Sequence, residues 1–167
     1  MTMPALPARP GSPPETGPAI PHVQFTQTSP PQVREQTIRL LAALPGTRTG
    51  PSEISEPGSF AVFTGHPAAG AVLLPPRRTA EFAHVHADGS LHLALDPADQ
   101  AELLAKGWGE RHPLYSPGVN VVMLYAPRDA TDLQVTRTVL DAAYRYATGR
   151  QPAGGLPGQA GSLASSR

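Results

Sequence analysis

Apolar residues recur along the chain with two spacings, one typical of helices and one typical of strands. Apolar positions three or four apart predict helices over residues 31–44, from 97 to Gly107 and from Asp129 to about Thr148. Each segment is bounded by residue types that begin or end helices: proline in the first turn, aspartate at the cap, or glycine after the last turn. The pattern therefore predicts three helices.

Short apolar segments between these helices predict strands over residues 59–63, 71–74, 79–86, 91–95 and 119–126. The dipeptide Asp88-Gly89 separates the third and fourth segments and is typical of a hairpin turn. The order of elements is then α-β-β-β-β-α-β-α. Because several strands follow one another directly, this order favours an α+β fold with a mainly antiparallel sheet flanked by helices.

The 21 prolines and 16 glycines of the 167-residue chain divide it into three parts. Residues 1–28 alternate proline with small and polar residues and show no periodicity, so they are expected to be a disordered Pro-rich tail. Residues 150–167 are expected to be a disordered Gly/Ser/Pro tail. The remaining residues, 29–149, have the length of one domain with a single core.

Charge and composition exclude several classes of protein. The 13 basic and 13 acidic residues give a formal net charge of zero with no basic cluster, which argues against a nucleic-acid partner. No apolar segment approaches the roughly 20 residues of a membrane helix, and the first residues do not resemble a signal peptide. The absence of cysteine excludes disulfides, thiol nucleophiles and Cys-ligated metals. A soluble cytoplasmic protein is the expectation.

Histidines are the most conspicuous candidates for chemistry, since His84, His86, His92 and His112 fall within 29 positions. His84 and His86 share one face of a strand, about 7 Å apart. A two-residue turn at Asp88-Gly89 would place His92 on the opposite face. A three-residue loop over 88–90 would pair His92 with His86 on the same face. The second register is preferred because it turns the leucines of residues 91–95 towards the core.

These four histidines are the candidate catalytic residues, and two other interpretations stay open. Strand histidines are often only hydrogen-bonded, half-buried residues. His-x-His with further histidines nearby is also a common metal-ligand spacing, so a divalent metal is an alternative. The segment His84-Val85-His86-Ala87-Asp88 looks like the start of the metallo-β-lactamase motif, but Gly89 stands where the final histidine belongs. No metal is therefore assigned.

Four further residues are candidates for substrate binding. Glu81 precedes the histidines and is a base or a partner for them, or a solvated carboxylate. Trp108 lies between two glycines and could form the wall of a pocket or fill the core. Arg111 adjoins His112 in a loop, and Arg128 follows a strand, where it could bind an anion or pair with a neighbouring aspartate.

Four segments resemble, in order, conserved blocks of the luciferase-domain family. They are Glu-Phe-Ala-His-Val-His at 81–86, Ser-Leu-His-Leu-Ala-Leu at 90–95, Lys-Gly-Trp-Gly-Glu-Arg-His-Pro-Leu at 106–114 and Leu-Tyr-Ala-Pro-Arg at 124–128. The resemblance extends over about residues 79–148. It identifies the chain as a member of this family.

The resemblance implies oxygenase chemistry on a small molecule. Fungal members add dioxygen to a hydroxylated α-pyrone with no metal or flavin, so no cofactor is expected. On that model a histidine among His84, His86 and His92 removes the enol proton. Arg111 or Arg128 stabilises the anion, and Trp108 forms a wall for a flat substrate. The implied substrate is a small enolisable or hydroxylated aromatic compound, with molecular oxygen as the co-substrate.

The resemblance does not extend to light production. The loop between His86 and His92 is shorter than in the fungal domain, and the chain begins with Pro-rich coil where the fungal enzyme has a membrane anchor. Light emission is therefore not expected. The alternatives are a non-catalytic module that binds a small ligand or a partner, and a His-ligated, metal-dependent enzyme.

Overall fold

The structure is a computed structural model that describes residues 1–75 and 79–152. Within these residues there are three helices: α1 (Pro31–Ala42), α2 (Pro97–Ala105) and α3 (Ala130–Thr148). Prolines occupy the first turns of α1 and α2, and the Asp129 carboxylate caps α3 by accepting from the N–H groups of Thr131 and Asp132. Gly149 ends α3 in the left-handed conformation.

One antiparallel sheet joins the strands of the described residues. These strands are β1 (Thr47–Pro51), β2 (Phe60–Thr64), β3 (Glu81–Val85), β4 (Leu91–Leu93), β5 (Gly109–Arg111) and β6 (Val122–Leu124). Their order across the sheet is β1-β2-β3-β4-β6-β5. The predicted α+β class with an antiparallel sheet is confirmed.

The two faces of the sheet differ sharply in chemistry. One face packs against α1 and α3 and forms the main core with Val62, Ala83, Val85, Leu93 and Leu124. The opposite face carries His84 and His92, which are directly paired across β3 and β4. Period-two alternation of side chains produces this division, so the leucines of β4 define the core and its histidine faces the other way.

Two strands, β1 and β5, were not predicted from the sequence, and both lie at edges of the sheet. The strand β1 has no apolar pattern because its residues are exposed or only half-buried. The strand β5 also lacks an apolar pattern, since its residues are Gly-Glu-Arg. Its first residue is Gly109, where a Cβ atom would collide with the carbonyl oxygen of Met123. Residues 71–74, expected as a strand, instead pass over the sheet, with Leu73 and Leu74 buried in different apolar clusters.

The β3–β4 hairpin has neither of the two registers considered from the sequence. Its loop has three residues, 87–89, and it is closed by the His86 N–H donating to the Ser90 carbonyl at 2.8 Å. His92 is therefore paired with His84 and not with His86. The register differs by two residues from the preferred one, and a shift of two leaves every side chain on its expected face.

Residues 1–28 are packed along the domain, which differs from the disordered tail expected for them. Met3 and Leu6 join the main core, with 6% and 4% of their surface exposed. Their N–H groups donate to the carboxylates of Asp99 and Glu102, both at 2.8 Å. Side chains of α2 thus satisfy the backbone of a segment that has no helix or strand of its own.

The domain boundaries at residues 29 and 149 stay a prediction. Residues 153–167 of the predicted C-terminal tail lie outside the described residues. None of the helices in the described ranges is long and apolar enough to cross a membrane.

Candidate functional site

A cavity of about 770 Å³ lies over the histidine-bearing face of the sheet. Five imidazoles line it: His22, His84, His86, His92 and His112. Apolar side chains surround these imidazoles, among them Ile54, Leu74, Leu114 and Val121. The cavity therefore combines a polar floor with an apolar rim.

Sheet register places the central histidines. His84 on β3 lies opposite His92 on β4, His92 lies opposite Met123 on β6, and Met123 lies opposite Glu110 on β5. One row across the sheet thus runs from His84 to Glu110, all on the cavity side. His86, two residues beyond His84, places its ring centroid 4.5 Å from that of His92.

Short contacts join three imidazoles and two carboxylates in a row. His84 Nδ1 lies 2.7 Å from Glu81 Oε1, and His84 Nε2 lies 3.2 Å from His92 Nδ1. On the other side, His92 Nε2 lies 2.9 Å from His22 Nδ1, and His22 Nε2 lies 2.7 Å from Glu110 Oε1. The order is Glu81–His84–His92–His22–Glu110.

Both carboxylates at the ends of this row accept several hydrogen bonds. Glu81 is fully buried and also accepts from the Ser52 hydroxyl at 2.8 Å and the Glu53 N–H at 3.2 Å. Glu110 also accepts from the hydroxyls of Thr16 at 2.7 Å and Tyr125 at 3.0 Å. Each carboxylate is thus held by other donors in addition to its histidine.

These acceptors determine which nitrogen of each imidazole carries the proton. His84 donates through Nδ1 to Glu81, so its Nε2 presents a lone pair. His22 donates through Nε2 to Glu110, so its Nδ1 presents a lone pair. His92 lies between these two lone pairs.

His86 is oriented in the same way by a neighbouring hydroxyl and carboxylate. The Ser90 hydroxyl donates to Asp88 at 2.6 Å, so its oxygen is free to accept from His86 Nδ1 at 2.9 Å. His86 Nε2 therefore presents a lone pair. His112 differs, because its Nδ1 accepts from the Leu114 N–H at 3.1 Å, which leaves the proton on Nε2.

Burial and mutual proximity keep His86, His92 and His112 neutral at pH 7. Burial, with the nearby His84, lowers the pKa of His86 to about 4. Burial, with the nearby His22, lowers the pKa of His112 to about 4. Burial followed by the charges of its histidine neighbours holds the pKa of His92 well below its ordinary value. Neutral imidazoles have lone pairs available to accept a proton or to bind a metal.

The predicted catalytic histidines His84, His86, His92 and His112 are all brought to this one cavity. Glu81 lies behind them and contacts His84, although a regular strand would place it on the opposite face. An irregularity in β2–β3 pairing, where Val62 is opposite Ala83 and Phe63 is opposite Glu81, leaves Phe82 as an extra residue. A bulge of this kind changes the direction of a neighbouring side chain, which here is that of Glu81.

The other three predicted binding residues do not line the cavity in the described part of the chain. Trp108 is buried and donates through Nε1 to the Pro7 carbonyl at 2.7 Å. Arg111 lies over the Tyr115 ring, with its guanidinium carbon 4.5 Å from the centroid. Arg128 pairs with Asp132, with Nε 2.6 Å from Oδ2. Their role in binding a substrate stays a prediction.

Two residues of the site were not among the predicted ones. His22 lies in the Pro-rich N-terminal segment, where no periodicity marks it. Glu110 lies within the segment 106–114, on the short strand β5. Its position opposite Met123, with two strands between β5 and the strand of His84, is visible only in the sheet.

Within the described residues, two groups of three histidines place one nitrogen each within 4.8 Å of one another. One group is His84, His86 and His92, and the other is His22, His92 and His112. Such separations suit the ligands of a single metal ion. The tautomers assigned above favour the first group. His112 uses the lone pair of Nδ1 to accept from the Leu114 N–H, and its Nε2 carries a proton, so neither nitrogen is free to bind a metal.

Comparison with known proteins relates the segment that forms most of this site to one family. Residues 79–143 match the family model described as Luciferase domain. The chain is 45% identical over 86 residues to a luciferase of Armillaria ostoyae and 45% identical over 86 residues to one of Neonothopanus nambi. Each alignment covers 47% of this chain and 32% of the relative, so the chain spans about a third of the length of these curated relatives.

No solved structure matches the chain. The matched segment includes β3, β4, α2, β5, β6 and most of α3, and it supplies four of the five cavity histidines. The agreement therefore falls on the residues that build the site. Over residues 79–143 the chain is similar to the luciferase-domain family.

Proposed function

We propose that this domain is an oxygenase that acts on a small enolisable or hydroxylated aromatic or pyrone compound. The observation that carries the proposal is the floor of five clustered imidazoles in an apolar-rimmed cavity, four of which lie in the segment matched to luciferases. The relatives are called luciferases, and a luciferase reaction begins with oxidation of a small organic molecule. The same first step is proposed here without light emission.

The shape of the cavity suits a flat molecule with one polar edge. A volume of about 770 Å³ lies within the range of sites that enclose a drug-sized ligand. Leu74, Val121 and Ile54, which pack in one apolar cluster, offer contacts to the ring. The hydroxyl-bearing edge would then face the imidazoles, since they are the polar groups of the floor.

The imidazoles supply two kinds of hydrogen-bonding group to that edge. His84 and His86 present lone pairs, which accept the proton of an acidic hydroxyl. His112 carries its proton on Nε2 and donates to the oxygen that becomes negative. Loss of the hydroxyl proton to an imidazole leaves an electron-rich enolate, and dioxygen then adds to its carbon. The carbon is oxidised, dioxygen is reduced to a peroxide, and the proton returns from the imidazole to the peroxide oxygen, so one O–H bond is broken and one C–O and one O–H bond are formed.

The experiment that tests this function measures oxygen consumption. The full chain is incubated with a hydroxy-α-pyrone, a hydroxycoumarin and catechol, and dissolved oxygen and emitted light are followed together. We expect oxygen uptake with at least one compound, no light, and loss of the uptake in His84→Ala. The matched control is His66→Ala, because His66 is an exposed histidine outside the cavity.

Ligand binding, measured in parallel by calorimetry, separates catalysis from binding alone. A compound that binds the cavity in the wild-type chain but is never oxidised would overturn the oxygenase and leave a small-ligand-binding module. Oxygen uptake that persists at the wild-type rate in His84→Ala would overturn the role of the histidine floor.

A further inference from the structure

The row of short contacts across the histidine floor needs one more proton than neutral imidazoles carry. Four contacts join Glu81, His84, His92, His22 and Glu110, and each needs one proton. Three neutral imidazoles carry three protons, and both carboxylates are acceptors. One of the two contacts of His92 is therefore a lone pair facing a lone pair.

Two species can resolve that conflict: a fourth proton in the row, or a metal ion between the facing nitrogens. A fourth proton could lie on His84 or His22, each of which contacts a carboxylate. The arrangement of the ligand nitrogens, and not the number of protons, is what favours a metal ion. With an ion between His84 Nε2 and His92 Nδ1, His92 Nε2 keeps its proton and donates it to His22 Nδ1.

We propose that His84 Nε2, His86 Nε2 and His92 Nδ1 bind one divalent transition-metal ion, with a fourth coordination position open to the cavity. The three residues place ligand nitrogens within 4.8 Å of one another. The 3.2 Å between His84 Nε2 and His92 Nδ1 is close to the ~3.3 Å between two nitrogens bound tetrahedrally to zinc. All three side chains are buried.

The outer nitrogens of the three ligands support the assignment independently. Metal-bound histidines usually donate their other ring N–H to a carboxylate or another acceptor, which fixes the tautomer. Here His84 donates to Glu81, His86 donates to the Ser90–Asp88 pair, and His92 donates to His22. His22 in turn donates to Glu110. Every proton of the cluster then has an acceptor.

The donor set indicates the class of metal. Three neutral imidazoles with no carboxylate ligand suit zinc, iron, cobalt, nickel or copper, whereas magnesium and calcium prefer oxygen ligands. Three protein ligands and an open position are typical of catalytic rather than structural sites. In the metal-free chain His84 and His86 are the bases of the proposed function; with the ion bound, the same nitrogens would act on a substrate oxygen through the metal.

This inference goes beyond the proposed function because it requires neither a substrate nor turnover. The full chain, freed of any histidine tag and dialysed against a chelator, is titrated with Co²⁺ while its visible d–d absorption and calorimetric heat are recorded. We expect one Co²⁺ per chain and displacement by Zn²⁺. A chain that binds neither ion, or binds them no better than a surface histidine does, would overturn the site whatever the oxygen-uptake assay shows.

Variants identify the ligands. His86→Ala is expected to lower Co²⁺ affinity by more than about 100-fold, and Glu81→Gln by about tenfold, because the latter removes only an outer partner. His66→Ala is the matched control and His112→Ala tests the other triad; both should keep the affinity. Loss of binding in His112→Ala with retention in His86→Ala would place the ion on the other triad and overturn the proposal.

A measurement on the wild-type chain protects the test against variants that fail to fold. X-ray absorption of the zinc-loaded protein should show three imidazole nitrogens at about 2.0–2.1 Å and one oxygen ligand. A coordination shell of oxygen atoms with one imidazole or none would show that the ion binds elsewhere and would overturn the proposal.

Discussion

His22 and His92 lie 70 positions apart in the chain, and His22 Nδ1 lies 2.9 Å from His92 Nε2. The rings meet edge to edge, with centroids 5.1 Å apart and planes inclined by 15°. Since Glu110 holds the opposite nitrogen of His22, the N-terminal segment contributes a fixed acceptor for the central histidine of the floor. The segment before the domain is therefore part of the site.

Replacement of His22 tests that contribution. His22→Ala removes the acceptor for His92 Nε2 and frees His92 to rotate, so we expect Co²⁺ affinity and oxygen uptake to fall by roughly 10- to 100-fold. His22→Asn keeps an oxygen near the position of Nδ1 and should recover part of the loss. Unchanged Co²⁺ affinity in His22→Ala would show that the contact between the two rings has no role in the site.

The elements that the sequence predicts well are those whose apolar residues form one continuous pattern. The three helices and the β3–β4 hairpin have such patterns because each buries one stripe or one face in the main core. The face of each hairpin histidine was also predicted, since the leucines of β4 require the core. The register was not, because a shift of two residues satisfies the same pattern.

The contacts that sequence patterns miss are those made by isolated residues over long separations. Met3 and Leu6 each fill a place in the core, but prolines separate them and the period is lost. His22 and Glu110 meet through the packing of a coil against an edge strand. Glu81 reaches His84 through a strand irregularity that alternation alone does not reveal.

The tryptophan at residue 108, the only one in the chain, reports on docking of the N-terminal segment. Its ring is 3% exposed, its Nε1 donates to the Pro7 carbonyl, and the Arg9 guanidinium carbon lies 6.0 Å from its centroid. Deletion of residues 1–12 should expose the indole to water. We expect its fluorescence emission to shift to longer wavelength and the melting temperature to fall.

Trp108→Phe provides the energetic counterpart, because phenylalanine keeps the apolar packing and loses the hydrogen bond to Pro7. We expect a loss of about 1 kcal/mol in the free energy of unfolding, measured by urea titration with circular dichroism. If the deletion variant and the full chain had the same wavelength of fluorescence emission, the docking of residues 1–12 on Trp108 would be contradicted.

The apolar rim of the cavity can be tested at Leu114, which lines it while 52% of its surface stays exposed. Leu114→Ser removes apolar contact area from a flat ligand and leaves the core intact. We expect binding of a hydroxycoumarin to weaken by about fivefold, equivalent to about 1 kcal/mol, with little change in stability. Isothermal titration calorimetry measures the affinity.

The neighbouring Tyr115 is the matched control for that variant. It is 37% exposed and lies under Arg111, outside the lining of the cavity in the described residues. Tyr115→Ser should therefore leave hydroxycoumarin binding unchanged. Equal weakening by the two variants would indicate that the ligand binds on the loop surface and not in the cavity.

The ion pair between Arg128 and Asp132 should make stability depend on pH. Burial by itself raises the pKa of Asp132, but hydrogen bonds from the Arg128 side chain and backbone, with its charge, outweigh burial and hold the pKa below the ordinary 3.8. A lowered pKa in the folded state stabilises the protein above the unfolded-state pKa. That stabilisation is lost as the pH falls through the folded-state pKa.

Asp132→Asn should therefore cost about 2 kcal/mol in the free energy of unfolding at pH 7, and the difference from wild type should shrink as the pH falls through the folded-state pKa. Urea unfolding across this pH range measures it. Asp141→Asn is the control of opposite sign, because burial raises the pKa of Asp141 and its carboxylate destabilises the folded chain as the pH rises. A constant difference between Asp132→Asn and wild type at every pH would contradict a role for the ionised pair.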